Sequence, residues 1–141
     1  MSMDYAEIQR RIPHRQPFLL IDEIVESSDD RIVARKTYTG NEGFFQGHFP
    51  GDPTVPQVYF LEAAAQAAGV HAATRFGLAG ARIVVSGIQS ASFTPLAVRP
   101  GDAVLIEVRL LRFGGKVARV HASASVGSET VMEADITAIV T

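Results

Sequence analysis

The chain has 141 residues, 47% of them hydrophobic, with 13 basic and 15 acidic side chains and a formal charge of −2. That length supports one domain with one core, and the near-balanced charge excludes the strongly basic face of a general nucleic-acid binder. The absence of cysteine rules out a disulfide framework, a thiolate zinc site and a cysteine nucleophile.

The N-terminal stretch Met1–Pro13 lacks the apolar run of a signal peptide, so a cytoplasmic location is expected. Residues 4–11 predict a short helix stopped by Pro13. Phe18–Val25 is an apolar run bounded by the turn cluster Ser27-Ser28-Asp29-Asp30. Arg31–Thr39, rich in β-branched and long residues, reads as a second strand, and the two suggest a hairpin. Gly40–Pro56 holds four glycines and three prolines and reads as a structured loop.

Pro56 is well placed to open a helix, because its missing N–H has no partner there anyway. This long helix is predicted to run to about Phe76 and to stop at Gly77. Its middle is rich in small residues: Ala63, Ala64, Ala65, Ala67, Ala68, Gly69, Ala72 and Ala73. Small side chains all round let other backbone approach on several sides, which marks a helix enclosed by its own protein. Glu62, Gln66 and His71 interrupt the run, so it is no membrane span.

From Arg82 the pattern changes to period two. Ile83–Phe93 is one strand candidate. Val104, Ile106, Val108 and Leu110 alternate with Leu105, Glu107 and Arg109 in another. Gly114-Gly115 signals a tight hairpin. Val120, Ala122, Ala124 and Val126 alternate with polar residues, Gly127-Ser128 makes another turn, and Val131–Val140 is the last strand. One buried helix with five or six mostly antiparallel strands predicts a single α+β domain over residues 1–141, the sheet wrapped around the helix.

The stretch from His48 to Glu62 concentrates the candidate chemistry. Two titratable groups of different type in unlike surroundings are what acid–base catalysis at neutral pH needs. Glu62 sits among Phe60, Leu61, Ala63 and Ala64, where a carboxylate is costly unless paired. Gln66, four residues on, shares its helical face and could orient it. A Glu on the exposed side of the first turns is the plainer alternative. His48 lies between glycines in Phe44-Phe45-Gln46-Gly47-His48-Phe49-Pro50-Gly51, a special backbone path that holds a ring in place. His14, between Pro13 and Pro17, is a weaker candidate expected to fix a turn; His71 is expected to be packed and His121 solvated. The four histidines show no metal-ligand spacing.

The segments Pro13–Asp22 (PHRQPFLLID), Gly47–Pro53 (GHFPGDP) and Leu61–Gly69 (LEAAAQAAG) resemble the β-hydroxyacyl-(acyl carrier protein) dehydratases of fatty-acid synthesis. Gly87–Asp102 (GIQSASFTPLAVRPGD) is similar to the same family's central strand and following turn, and the separation 62 − 48 = 14 matches as well. The resemblance implies a hot-dog fold, in which an antiparallel sheet wraps a central helix. It implies that His48 and Glu62 are the catalytic pair, meeting across a homodimer interface, with a trimer of dimers as a further assembly. Phe49, Gly51, Pro56, Gln57, Val58 and Gln66 are then expected to line the substrate site. The implied reaction removes water from a (3R)-3-hydroxyacyl thioester to give a trans-2-enoyl thioester. The substrate is carried on the phosphopantetheine arm of acyl carrier protein. No cofactor, metal, nucleic acid or membrane is expected to take part. A Glu at position 62 resembles the branch that dehydrates without isomerising.

The chain departs from the family pattern at Gln57, where a glycine is usual, and at Tyr59 and Phe60, where smaller aliphatic residues are common. These changes point to altered substrate scope or to reduced standard activity. Arg75, Arg82 and Arg99 are either contacts for an acidic carrier or solvated cations. Two other readings stand beside dehydration: a hot-dog acyl thioesterase using Glu62 to activate water, and a silent dehydratase-like subunit or acyl-binding module.

Overall fold

A computed structural model describes residues 1–141. Helix α1 (Tyr5–Arg11) opens at Asp4, whose carboxylate accepts the Glu7 N–H at 2.9 Å. Strands β1 (Glu23–Ser27) and β2 (Arg31–Thr37) form the expected antiparallel hairpin. A short 3-10 turn (Gly43–Gln46) precedes the long helix α2 (Val58–Phe76). Strands β3 (Ile83–Phe93), β4 (Ala103–Phe113), β5 (Val117–Val126) and β6 (Glu129–Val140) complete one six-stranded antiparallel sheet in the order β1-β2-β4-β5-β6-β3.

The period-two pattern sorts side chains between two faces. Ile32 and Ala34 of β2, Val104, Ile106 and Val108 of β4, and Val120, Ala122 and Ala124 of β5 are buried against α2. Met132, Ala134 and Ile136 of β6 join them, with Phe60, Ala63, Ala64 and Ala67 from the helix. Gly69 shows why small residues are needed: a Cβ there would meet Ile83 Cγ1 at 3.2 Å and Ile12 Cγ2 at 3.3 Å. Gly77 ends α2 in the left-handed conformation at φ +67°, where a glycine carries no Cβ penalty. This is the hot-dog arrangement.

Two boundaries differ from the sequence reading. Pro56 and Gln57 form a turn before α2, with the Tyr59 and Phe60 N–H groups donating to Pro56 O and Gln57 O at 3.0 and 3.1 Å. Regular helix therefore starts at Val58. The apolar run from Phe18 enters a strand only at Glu23, because the Leu20 N–H is taken by Gln66 Oε1 at 2.7 Å. The segment before β1 thus crosses α2 instead of pairing in the sheet, and this brings it to Glu62.

Candidate active site

His48 is held by its own loop. Phe49 and Asp52 exchange both backbone hydrogen bonds, at 3.0 and 2.8 Å, across Pro50-Gly51. Gly51 takes φ +74°, the value the third position of such a Pro-Gly turn demands. Arg99 braces the loop from outside, donating to Asp52 Oδ1 at 2.5 Å, and the Val55 N–H donates to Val98 O at 2.8 Å. The half-buried His48 ring stacks on Phe49 at 4.0 Å between centroids. Its Nδ1 lies 2.9 Å from the Thr54 carbonyl and 3.2 Å from Thr54 Oγ1. A carbonyl oxygen can only accept, so Nδ1 carries the proton of the neutral ring. Nε2 is left with the lone pair, which is the tautomer a general base needs.

Glu62 is held by a different set. Gln66 is 1% exposed and fully engaged. Its Oε1 accepts the Leu20 N–H, while its Nε2 donates to Phe18 O at 2.8 Å and to Glu62 Oε1 at 3.0 Å. Because Leu20 fixes the carbonyl end, the amide cannot turn round, and a donor always faces Glu62 Oε1. Oε2 makes no hydrogen bond within the chain. His14 Nε2 approaches the same Oε1 to 4.0 Å.

Glu62 lies on the wall of a cleft of about 970 Å³ with Phe18, Leu19, Leu20, Phe44, Val58 and Tyr59. At the polar end of this cleft the Lys36 ammonium, 8% exposed, lies 3.4 Å from Asp22 Oδ1 and 3.7 Å from Glu42 Oε1. Burial pushes the Glu42 carboxyl upward, but the backbone N–H groups of Thr39 and Gly40 and the Lys36 charge outweigh it and hold it below the usual carboxylate range. Burial, reinforced by the Glu42 and Asp22 charges, pushes the nearby Tyr38 phenol well above its ordinary range.

Within one chain His48 and Glu62 do not meet. The ring nitrogens of His48 find only Thr54, the carboxylate of Glu62 finds Gln66 and His14, and His48 is absent from the cleft wall that carries Glu62. Of the other candidates, Phe49 is 54% and Val58 61% exposed beside their respective partners. The Gln57 side chain donates to Thr94 O. At the start of α2 the backbone N–H groups of Gln57 and Val58 donate to nothing in the chain. Tyr59 faces the cleft and meets Phe44 edge-on at 4.7 Å, but Phe60 is wholly buried in the core and cannot shape the cleft directly.

His71 is packed as expected, its Nε2 2.7 Å from Ser28 O. His121, expected to be solvated, pairs with Asp135 at 2.9 Å on the outer sheet face. Arg75 approaches Asp29 at 3.6 Å and Arg99 pairs with Asp52, both at the surface, while the exposed Arg82 makes no ion pair. His14 lies beside Glu62 as well as in a turn between two prolines. Its proximity to Glu62 comes from the chain crossing α2, which no local pattern announces.

Comparison with known proteins decides the family. Residues 12–135 match the FabA-like domain. The chain belongs to the FabA-like family. This FabA-like chain is 41% identical to a 3-hydroxyacyl-[acyl-carrier-protein] dehydratase FabZ of Syntrophobacter fumaroxidans, over 98% of its own length and 94% of the relative's. A FabZ of Chloroflexus aggregans is 43% identical over 99% of the chain and 96% of the relative. Among solved structures, the dehydratase heterocomplex ApeI:P from Xenorhabdus doucetiae superposes with a TM-score of 0.82 at 19% identity, covering 95% of this chain and 90% of that one. That last likeness is one of fold.

Proposed function

We propose that this chain is a 3-hydroxyacyl-(acyl carrier protein) dehydratase of fatty-acid synthesis, acting as one hot-dog domain over residues 1–141. Full-length identity of about 40% to FabZ proteins supports the reaction. The observation that carries the chemistry is the pair of fixed side chains: a histidine whose Nδ1 is engaged and Nε2 free, and a carboxyl group whose Oε1 is engaged and Oε2 free.

The thioester carbonyl acidifies the hydrogens at C2 of the substrate. His48 Nε2 takes one of these protons, the C–H electron pair becomes the C2–C3 π bond, and the C3–O bond breaks. Glu62 Oε2 gives its proton to the departing oxygen, which leaves as water. Each positioned acid or base contributes about 10²–10⁴-fold. Negative charge on the thioester oxygen is met by the free backbone N–H groups at the start of α2, where the helix dipole is positive. The reaction is reversible and redox-neutral.

We propose further that the active unit is a homodimer in which His48 of one subunit faces Glu62 of the other. Their separation within one chain supports this. So does β3, which pairs only with β6 and leaves Val84, Val85, Ile88 and Phe93 exposed along the sheet edge. A free apolar edge is a template for pairing with a second copy. A trimer of such dimers is the larger assembly that the family resemblance implies. No helix is long and apolar enough to cross a membrane; placing the reaction in the cytoplasm, on a carrier-bound acyl chain, is part of the same proposal.

The test is incubation of the purified protein with a crotonyl thioester, following loss of the conjugated-enoyl absorbance beside His48→Ala and Glu62→Ala. Loss of absorbance without thiol release, absent from both variants, is expected. Thiol release would make the protein a thioesterase. Inertness toward crotonyl, longer and aryl thioesters would make it a silent subunit.

A further inference from the structure

We propose that His14 is a positioning residue for Glu62: it stands ready to meet the charge that appears on the carboxylate when Glu62 gives up its proton. The inference rests on the dehydratase reading and deepens it. His14 Nε2 lies 4.0 Å from Glu62 Oε1, with side-chain exposures of only 18% and 30%. The ring stacks on Phe18 with an interplanar angle of 13°, so the segment that crosses α2 sets its direction. Its Nδ1 is buried and has no hydrogen-bond partner.

That unpartnered atom decides the proton's place. A buried donor without an acceptor is the costlier kind of orphan, so the proton of the neutral ring sits on Nε2, facing the carboxyl group. His14 therefore presents an N–H to Oε1, as Gln66 does from the other side at 3.0 Å. With the Gln66 donor bonded to Oε1 and the His14 N–H facing the same atom, the transferable proton of Glu62 belongs on Oε2.

A separation of 4.0 Å is too long for a hydrogen bond. The ring thus stands beside the carboxyl group without bonding it. When the proton leaves Oε2 the carboxylate becomes charged, and a shift of about 1 Å closes a charge-assisted bond from Nε2. That interaction is stronger after proton transfer than before, which is the condition for it to accelerate the step. No cation meets this charge instead. Arg15, the neighbouring cation, is turned away onto the carbonyls of Gln9, Ile12 and His14. Lys36 shares the cleft wall with Asp22, Glu42 and Tyr59 but is paired to Asp22 and Glu42. No lysine or arginine lies within 4.0 Å of the Glu62 carboxylate, where His14 is the one basic side chain.

The experiment compares His14→Phe, His14→Gln and His14→Asn with the wild type in steady-state dehydration of a (3R)-3-hydroxybutyryl thioester, the direction in which Glu62 starts protonated, following the rise of conjugated-enoyl absorbance. Phenylalanine keeps the stacking surface and removes the donor. Glutamine places an amide N–H near the position of Nε2, whereas asparagine places it near Nδ1. The expected result is a fall in kcat of about ten-fold for His14→Phe with KM little changed, substantial recovery for His14→Gln and none for His14→Asn. Wild-type kcat in His14→Phe, or equal impairment of the glutamine and asparagine variants, overturns the proposal in favour of a packing role. If His14→Phe fails to fold, the glutamine–asparagine pair decides alone. A wild-type protein inert on short, long and aryl thioesters overturns the dehydratase reading, and this inference with it; an active wild type with indifferent variants overturns only this one.

Discussion

Gln57 ties the start of α2 to the end of β3: its side-chain amide donates to the carbonyl oxygen of Thr94. A glycine at this position could not make this bond. The side chain is thus drawn along the protein surface toward β3, while its backbone N–H stays free at the helix start. Replacing it with glycine, Gln57→Gly, removes the tether and opens the approach to that N–H. The relative rates on short, long and aryl acyl thioesters are expected to change by about five-fold or more. Losing one partly exposed hydrogen bond costs about 1 kcal/mol, a fall of a few degrees in Tm. Unchanged rates on all three substrates would show that Gln57 has no part in specificity.

Tyr59 and Phe60 are neighbours in sequence with separate duties. Tyr59 faces the cleft beside Glu62, braced edge-on by Phe44, whereas Phe60 is buried among the alanines of α2 and the sheet. Tyr59→Leu is expected to shift acyl-chain preference with little change in Tm. Phe60→Ala leaves a core cavity and costs about 3–5 kcal/mol, a large share of the stability of a domain this size. Thermal melts beside substrate profiles distinguish the two. A Tyr59→Leu protein that melts like Phe60→Ala would mean that the Tyr59 ring is core and not cleft lining.

The strands after Arg82 were legible because alternation and glycine turns are local signals, and each is fixed within about ten residues. The enclosure of α2 was legible from its alanines. The segment before β1 was not, since Leu19-Leu20-Ile21 has the composition of a strand. In the structure the Leu20 N–H goes to Gln66, far along the chain, and not to a neighbouring strand. The same long-range contact hid His14, which reads locally as a turn residue between two prolines. His48 and Glu62 stood out by type and surroundings. Which atom of each is free could be read only from the Thr54 carbonyl and the Gln66 amide. The target of the Gln57 side chain had no sequence signal at all.

Glu42 makes the loop before the His48 turn sensitive to acid. Its carboxylate accepts the N–H groups of Thr39 and Gly40, each at 2.9 Å, and lies 3.7 Å from Lys36. Against the opposing effect of burial, these hold its folded pKa below the ordinary value. A depressed carboxylate contributes stability that is fully present above the unfolded pKa of about 4.3 and is lost as pH falls through the folded value. Glu42→Gln is therefore expected to be less stable than the wild type by about 1–2 kcal/mol at pH 7. The gap should narrow below about pH 4. Urea midpoints for both proteins at several pH values measure it, and a gap that stays constant down to pH 3 would contradict the assignment.

Sharing of the active site between subunits has a quantitative consequence. If His48 of one chain serves Glu62 of the other, a dimer of one His48→Ala and one Glu62→Ala subunit contains one site with both defects and one site with none. Random reassociation of equal amounts makes half the dimers mixed, and each mixed dimer keeps one of its two sites. Activity should return to about one quarter of the wild type from two preparations that are each inactive. If both residues act within one chain, every site in every mixture carries a defect and nothing returns. The β3 edge supplies the companion test. Ile88 is 46% exposed on that edge, and Ile88→Arg places a charge where two copies would meet. The variant is expected to elute as a monomer and to lose activity with His48 and Glu62 intact. A fully active monomer would overturn both the cross-subunit site and the role of β3 in forming it.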